Sequence, residues 1–174
     1  MKTSFRKLPF AFFLIGLLSF QALAQVPSGR NCDQLNIMLE EGQNWFDEYT
    51  GDEIWTDMMG SGYEYNFSLW NSEAGEMIMD NDDYMWVDFF YPSSYDYDVV
   101  LEQYNSMNNS IRECLGEQYF ISADQSDYAI LYTEYTDTRD RENDGFLTHT
   151  QVTISLDQRD DYYFVCITIV GTEE

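Results

Sequence analysis

Residues 63–69 read YEYNFSL, and this heptapeptide carries the clearest structural signal in the chain. Aromatic or aliphatic residues occupy its odd positions, and polar residues occupy its even positions. Because successive side chains of a strand point to opposite faces of a sheet, this period of two predicts a half-buried β-strand. The period starts near Ile54, where we expect the chain to enter a sheet.

Five further segments have the composition of strands. Residues 84–91 are apolar on both faces except at Asp88, a pattern typical of a central strand. Turn-forming residues such as Asn, Asp, Gly and Pro separate the segments from one another. The six predicted strands are 63–69, 76–79, 84–91, 128–135, 146–156 and 162–170.

Two segments instead have apolar residues at the three- and four-residue spacing of an amphipathic helix. The first is 32–49, which precedes the strands, and the second is 95–115, which divides them into two groups of three. We expect Ser93 or Ser94 to cap the start of the second helix, and Gly116 is well placed to end it.

The resulting order of elements is αβββαβββ, so each half of the chain repeats one arrangement of elements. No repeat is visible at the level of individual residues. Amphipathic helices combined with meandering strands predict an α+β fold in which the two helices pack on one face of an antiparallel sheet.

The first 24 residues predict a cleavable signal peptide. Basic residues lie within the first seven positions, an apolar run covers 8–20, and Ala22 and Ala24 are small residues at the positions that a signal peptidase reads. The apolar run is shorter than the ~20 residues needed to cross a bilayer, so no membrane span is expected after cleavage. We expect residues 25–174 to form a single mature domain, either periplasmic or secreted.

Acidity is the dominant feature of this mature domain. Residues 25–174 contain five arginines, no lysine and all 32 acidic residues, which gives a formal charge of −27. Nucleic acids and anionic membranes would repel such a surface, so neither is an expected partner. Basic proteins, divalent cations and neutral ligands remain compatible with it. The alternative is that the charge only keeps the domain soluble.

Three cysteines, Cys32, Cys114 and Cys166, remain in the mature domain. In an oxidising compartment, we expect one disulfide and one unpaired thiol. A Cys32–Cys114 disulfide is favoured because it would join the two predicted helices, although a link to Cys166 stays open. The oligomeric state is not indicated.

Two acidic segments resemble metal sites. Residues 140–151 imitate a calcium loop, but position twelve is Gln151 rather than a bidentate glutamate, and the downstream flank alternates like a strand. Residues 143–145 therefore favour a hairpin turn. Asp80, Asp82 and Asp83 are typical of a solvated turn. No metal or cofactor site is predicted.

Catalysis finds little support in the sequence. His149 is the only histidine, and it falls on the polar side of a predicted strand without an accompanying nucleophile motif. We therefore predict no catalytic residue and no enzyme activity. A pair of carboxylates of the hydrolase type stays as a third hypothesis, because such residues meet only in the folded chain.

Aromatic residues offer one further candidate surface. The four tryptophans, Trp45, Trp55, Trp70 and Trp86, could build a sugar-stacking surface, and Trp70 and Trp86 lie near predicted strands where one face of the ring could be open to solvent. Tryptophan is, however, more often core material. Taken together, these features favour an exported, non-enzymatic interaction module. Its expected partner is another protein, and the acidity of the domain favours a basic one. A domain that binds divalent cations or carbohydrate is the alternative.

Overall fold

The computed structural model describes residues 32–80, 84–140 and 149–172. The predicted signal peptide, residues 1–24, and the predicted turn at 143–145 lie outside these residues. In the described chain no helix combines the length and apolar character that crossing a membrane requires. The helices and strands are α1 (Cys32–Gly42), β1 (Thr50–Thr56), β2 (Gly60–Tyr65), β3 (Ala74–Asp80), β4 (Met85–Phe90), α2 (Tyr97–Leu115), β5 (Tyr119–Ala123), β6 (Leu131–Asp137), β7 (Gln151–Arg159) and β8 (Tyr162–Val170).

All eight of these strands form one antiparallel sheet in the order β1-β2-β3-β4-β8-β7-β6-β5. Each helix is followed by a four-strand meander, and the two meanders join where β4 pairs with β8. The α+β class with an antiparallel sheet is therefore confirmed. The predicted order αβββαβββ is wrong in strand number, since each half has one strand more than predicted.

The two strands that were not predicted as separate elements, β1 and β5, are the edges of the sheet. Both pair with irregular register, which shifts after Thr50 in β1 and after Ile121 in β5. An edge strand has only one neighbour and is open to solvent. Its sequence therefore need not alternate apolar and polar residues, which is the pattern by which a half-buried strand is recognised.

The heptapeptide 63–69 is strand only at its start, because β2 ends at Tyr65. The chain then turns through Trp70 and Asn71, whose φ angles are 49° and 62°. Leu69 and Trp70 are nonetheless buried in the core. The alternation of apolar residues thus reports burial, and burial continues past the last residue of the strand.

Helix α1 ends at Gly42, whereas the sequence predicted a helix to residue 49. Trp45 and Phe46 follow in a turn with φ angles of 62° and 57°. A left-handed conformation costs a residue with a side chain roughly 1–2 kcal/mol. Phe46 is fully buried, and burial of such a side chain contributes about 1.5–3 kcal/mol, which offsets the cost of its own left-handed conformation.

Helix α2 begins at Tyr97, two residues later than expected. Asp96 caps it, with Oδ1 accepting the Asp98 backbone N–H at 3.0 Å, so the predicted cap at Ser93 or Ser94 is wrong. Ser94 is held elsewhere, since its backbone N–H donates to the Tyr163 carbonyl at 2.9 Å. Gly116 ends the helix with a φ of 57°, as predicted.

Alternate residues of the three central strands form the middle of the core. Both helices contact β8, and α2 also contacts β7. A disulfide joins Cys32 of α1 to Cys114 of α2 across 82 residues, and this is the pairing that the sequence favoured. The fully buried strand residues are Val87, Phe89, Val152, Ile154, Leu156, Val165, Ile167 and Ile169.

Candidate functional site

The face of the sheet opposite these core residues is the candidate site, and we call it the outer face. Trp86, Asp88 and Phe90 of β4 point to it, because they alternate with the buried Val87 and Phe89. All three outer residues are half-buried rather than fully covered. The outer face therefore presents a mixture of aromatic and acidic side chains.

One line of cross-strand neighbours runs over most of the outer face, and we call it the polar row. Each residue lies opposite the next in the register of the paired strands. Like charges directly opposite each other on a sheet destabilise it, so three adjacent acids are an unfavourable arrangement for the isolated domain. The polar row consists of Glu64, Glu76, Asp88, Thr168, Thr153 and Glu134.

At the β1 end of the sheet, a tryptophan lies against the polar row. Trp55 of β1 is paired with Gly62 of β2, and a Cβ atom on Gly62 would collide with the Trp55 indole. The indole Nε1 donates a hydrogen bond to Glu76 Oε1. The missing side chain at Gly62 thus lets the ring lie over β2, while 37% of Trp55 stays exposed.

Asp88 lies at the centre of the polar row. Thr168 Oγ1 donates to Asp88 Oδ1 at 2.5 Å, and Trp86 also donates to this carboxylate. Burial raises the pKa of Asp88, the two hydrogen bonds oppose that rise, and the negative charge of Glu76 adds to it. Asp88 is therefore an acid whose ionised form is stabilised by neighbouring donors but disfavoured by burial.

In the second half of the sheet, the acids of the outer face are hydrogen-bonded within the protein. Glu134 accepts from Ser122 at Oε1, at 2.5 Å, and from Tyr132 at Oε2, at 2.9 Å. Asp157 accepts from Ser155 at 2.5 Å. These hydroxyl groups occupy both carboxylate oxygens of Glu134 and one carboxylate oxygen of Asp157.

In the first half, Asp88 is hydrogen-bonded to Thr168, but Glu64 and Glu76 retain free acceptor capacity. Glu76 Oε2 and the exposed carboxylate of Glu64 accept no hydrogen bond from the residues that the structure describes. The two halves of the outer face therefore differ, although the polar row crosses both. This difference depends on which strands are neighbours, so the sequence alone did not reveal it.

Cys166, the remaining thiol, also lies on the outer face, opposite Phe90 and Ser155. It is buried, and burial raises the pKa of its thiol well above the usual range. Since the thiolate is the reactive form, Cys166 is inert in the folded protein.

His149 lies just before β7 rather than on the polar side of a strand, so that prediction is wrong. Its Nδ1 is 3.0 Å from Asp140 Oδ1, and its backbone N–H donates to Asp140 Oδ2 at 3.0 Å. The Asp140 side chain is almost fully buried, with 1% exposed. The sequence did not indicate this contact. It joins Asp140, which follows β6, to His149, which precedes β7.

The candidate metal segments do not form a site in the part of the chain that is described. Asp140, the first position of the calcium-like loop, is engaged by His149, and positions 141–148 lie outside the described residues. Asp80 accepts the Tyr84 backbone N–H at 2.9 Å, whereas Asp82 and Asp83 also lie outside. Within the described ranges, no group of three or more His, Cys, Asp or Glu residues could hold a metal ion.

The tryptophans separate into core and surface residues. Trp70, one of the two candidate tryptophans that lie near predicted strands, is only 2% exposed and belongs to the core. Trp86, the other residue, lies on the outer face, and Trp55 joins it there. The sequence did not distinguish Trp55 from the other candidate tryptophans, because its exposure depends on its place in an edge strand.

The chain was compared with protein families, curated proteins and solved structures. No protein-family model, no curated protein and no solved structure matches the chain.

Proposed function

We propose that this protein is an exported, non-enzymatic interaction module that binds a basic protein through the outer face of its sheet. The observation that carries the proposal is the polar row in the first half of the sheet. There, the adjacent carboxylates of Glu64 and Glu76, which have free acceptor oxygens, lie beside the exposed Trp55 side chain. A basic partner would neutralise charges that repel one another in the isolated domain.

The proposal includes an arrangement in which both helices cover one face of the sheet and leave the outer face open. The Cys32–Cys114 disulfide supports it, because it holds the two helices side by side. Shared contacts of α1 and α2 with β8 give further support. An open sheet face would give a partner protein direct access to the polar row.

Charge favours a basic partner over a neutral or acidic one. The full chain carries a formal charge of −24, and the expected mature domain carries −27. Such a charge accelerates the approach of a positively charged protein by long-range attraction, and salt weakens that attraction. Partner binding that depends strongly on ionic strength is therefore an essential property of the proposed function.

Exposed apolar side chains at the turn between β1 and β2 favour a protein as the ligand. The turn between β1 and β2 presents Met58 and Met59, which are 93% and 79% exposed, close to Trp55 in sequence. Methionine and aromatic residues are enriched in protein interfaces, whereas isolated domains usually bury them. This tip of the β1–β2 hairpin would add apolar contact to the electrostatic attraction.

Export is part of the proposal and has two supports. The first 24 residues have the layout of a signal peptide. The Cys32–Cys114 disulfide is typical of proteins that fold in an oxidising compartment. We therefore place the interaction in the periplasm or outside the cell.

Carbohydrate binding is the second candidate, and one observation favours it. The Trp55 ring lies over Gly62 and is hydrogen-bonded to Glu76, which combines a fixed aromatic ring with an acceptor for sugar hydroxyls. A neutral sugar would bind with little dependence on salt, so ionic strength separates the two candidates.

The decisive experiment is affinity capture by the exported protein from its own organism's envelope and medium, at low and at moderate salt. A variant with Glu64→Gln and Glu76→Gln alters the outer face. Its matched control carries Glu102→Gln and Glu113→Gln, which make the same charge change at exposed positions of α2.

The proposal expects one basic protein to be captured in stoichiometric amount at low salt. Its capture should fall at moderate salt, fail with the outer-face variant and persist with the α2 variant. Equal loss with both variants, or capture that salt does not weaken, would overturn the proposal.

A further inference from the structure

We infer that the β1–β4 half of the outer face docks an arginine-bearing segment of the basic partner, in preference to a lysine-bearing one. The inference rests on the proposed function and deepens it, because it names the chemical group that is recognised. The surface consists of Trp55, Glu64, Glu76, Trp86 and Asp88, which adjoin one another in the sheet register.

Geometry favours a planar cation at this surface. Glu64 and Glu76 lie directly opposite each other on β2 and β3, so their carboxylates project side by side from the same face. A guanidinium group presents a rigid fork of N–H donors that can engage two carboxylate oxygens at once. The ammonium group of lysine is a compact point charge and lacks this flat, rigid pair of N–H donors.

The Trp55 indole supplies the second element of recognition. One side of the ring lies over Gly62, and its Nε1 is anchored on Glu76, so the ring is held in place before a ligand arrives. The remaining exposed surface of Trp55 is open to a cation. Arginine stacks on tryptophan more often than lysine does, and the contact strengthens as water is excluded.

The second half of the sheet serves as an internal comparison. Glu134 belongs to the same polar row, but both of its carboxylate oxygens already accept hydrogen bonds, from Ser122 and Tyr132. An arginine there would have to displace these donors. Glu64 and Glu76, which keep free carboxylate oxygens, therefore offer a guanidinium group a better site than Glu134 does.

The test compares binding of two peptides of equal charge, nona-arginine and nona-lysine, to the exported protein at low salt. Calorimetry gives the affinity, and tryptophan fluorescence reports on the ring. We expect nona-arginine to bind about tenfold more tightly than nona-lysine, since cation–π and paired hydrogen bonds each add a few-fold.

Three variants test which residues cause the preference for nona-arginine. Glu76→Gln removes one carboxylate, whereas Gly62→Ala keeps every charge and displaces the Trp55 ring. Each should reduce the preference for arginine to about twofold or less. Glu134→Gln makes the same charge change as Glu76→Gln in the other half of the polar row and should leave the preference intact. Circular dichroism verifies that every variant is folded.

The outcomes distinguish this inference from the function on which it rests. If both peptides bind equally well and salt weakens both, the arginine site is refuted and the basic-partner proposal stands. The inference also fails if Glu134→Gln abolishes the preference as effectively as Glu76→Gln. If neither peptide binds at low salt, the basic-partner proposal fails together with the inference.

Discussion

Glu76 stands directly opposite Asp88 across strands β3 and β4, so two carboxylates are cross-strand neighbours on the outer face of the sheet. Glu64 continues the line on β2. Neighbouring like charges oppose folding, and a sequence selected only for stability would not place three of them in a row. The arrangement supports the proposal that this face binds a cationic partner.

Glu76→Gln should therefore stabilise the isolated protein. The glutamine oxygen can still accept from Trp55, while the repulsion from Glu64 and Asp88 is removed. We expect the free energy of unfolding to rise by about 0.2–1 kcal/mol at low salt. Urea denaturation measures the change, and Glu102→Gln on α2 controls for net charge. An equal gain from both variants would show that the cross-strand contacts are unimportant.

Asp137 should make stability depend on acid pH. Its two carboxylate oxygens accept from the Arg139 backbone N–H, from the Arg139 side chain and from Gln118. The Arg139 hydrogen bonds lower the pKa of Asp137 to about 2. Since an unfolded aspartate has a pKa near ~4, the ionised form favours folding, and this contribution is lost as the pH falls from about 4 towards 2.

Asp137→Asn should accordingly cost about 1.5–3 kcal/mol of unfolding free energy at pH 7. The difference from the wild-type protein should shrink steadily as the pH is lowered through this window. Urea denaturation at a series of pH values measures it. A difference that stays constant down to pH 2 would mean that ionisation of Asp137 does not contribute.

The contact between Asp140 and His149 should act as a structural clamp. Removing the Asp140 carboxylate leaves the His149 backbone N–H without its acceptor, so Asp140→Ala should cost about 1–3 kcal/mol. His149→Ala should cost less, because the backbone hydrogen bond survives it. A double-mutant cycle, measured by thermal unfolding, should give a coupling energy of at least about 0.5 kcal/mol. Strict additivity would contradict a direct interaction.

The disulfide between Cys32 and Cys114 should contribute substantially to stability. It closes a long loop and joins the two helices, so replacing both cysteines by serine should cost about 2–5 kcal/mol. Mass mapping without reduction should link the two peptides that contain them. Cys166 should resist alkylation until the protein is denatured, because its thiol is buried. A linked peptide containing Cys166 would contradict the pairing.

Local patterns in the sequence predicted much of the second half of the fold. Residues 162–170 were predicted as a strand and are β8, and Gly116 ends α2 as expected. These features depend on alternation and on residues close in sequence, where the physical cause is local. The end of α1 was missed because the chain leaves the helix through two left-handed residues, Trp45 and Phe46, and this turn places Phe46 in the core.

The same local patterns could not predict the candidate site. Periodicity indicates which residues share a face of one strand, but it does not indicate which strands are neighbours or in what register. Glu64, Glu76 and Asp88 are spread over 25 residues of sequence and meet only through two strand pairings. The sequence named Trp55 among four candidate tryptophans but could not place it beside Glu76, because that contact depends on the pairing of β1 with β2 and β3.

By itself, the sequence determined the acidity of the protein, its α+β class and the two segments that form helices, because charge and hydrophobic period are properties of neighbouring residues. Tertiary structure alone decided that the acids of three strands line up beside a tryptophan and that those of the other half are hydrogen-bonded internally. Both arrangements arise from the register of hydrogen bonds between distant strands. That register is set when the whole sheet packs its apolar face onto the core.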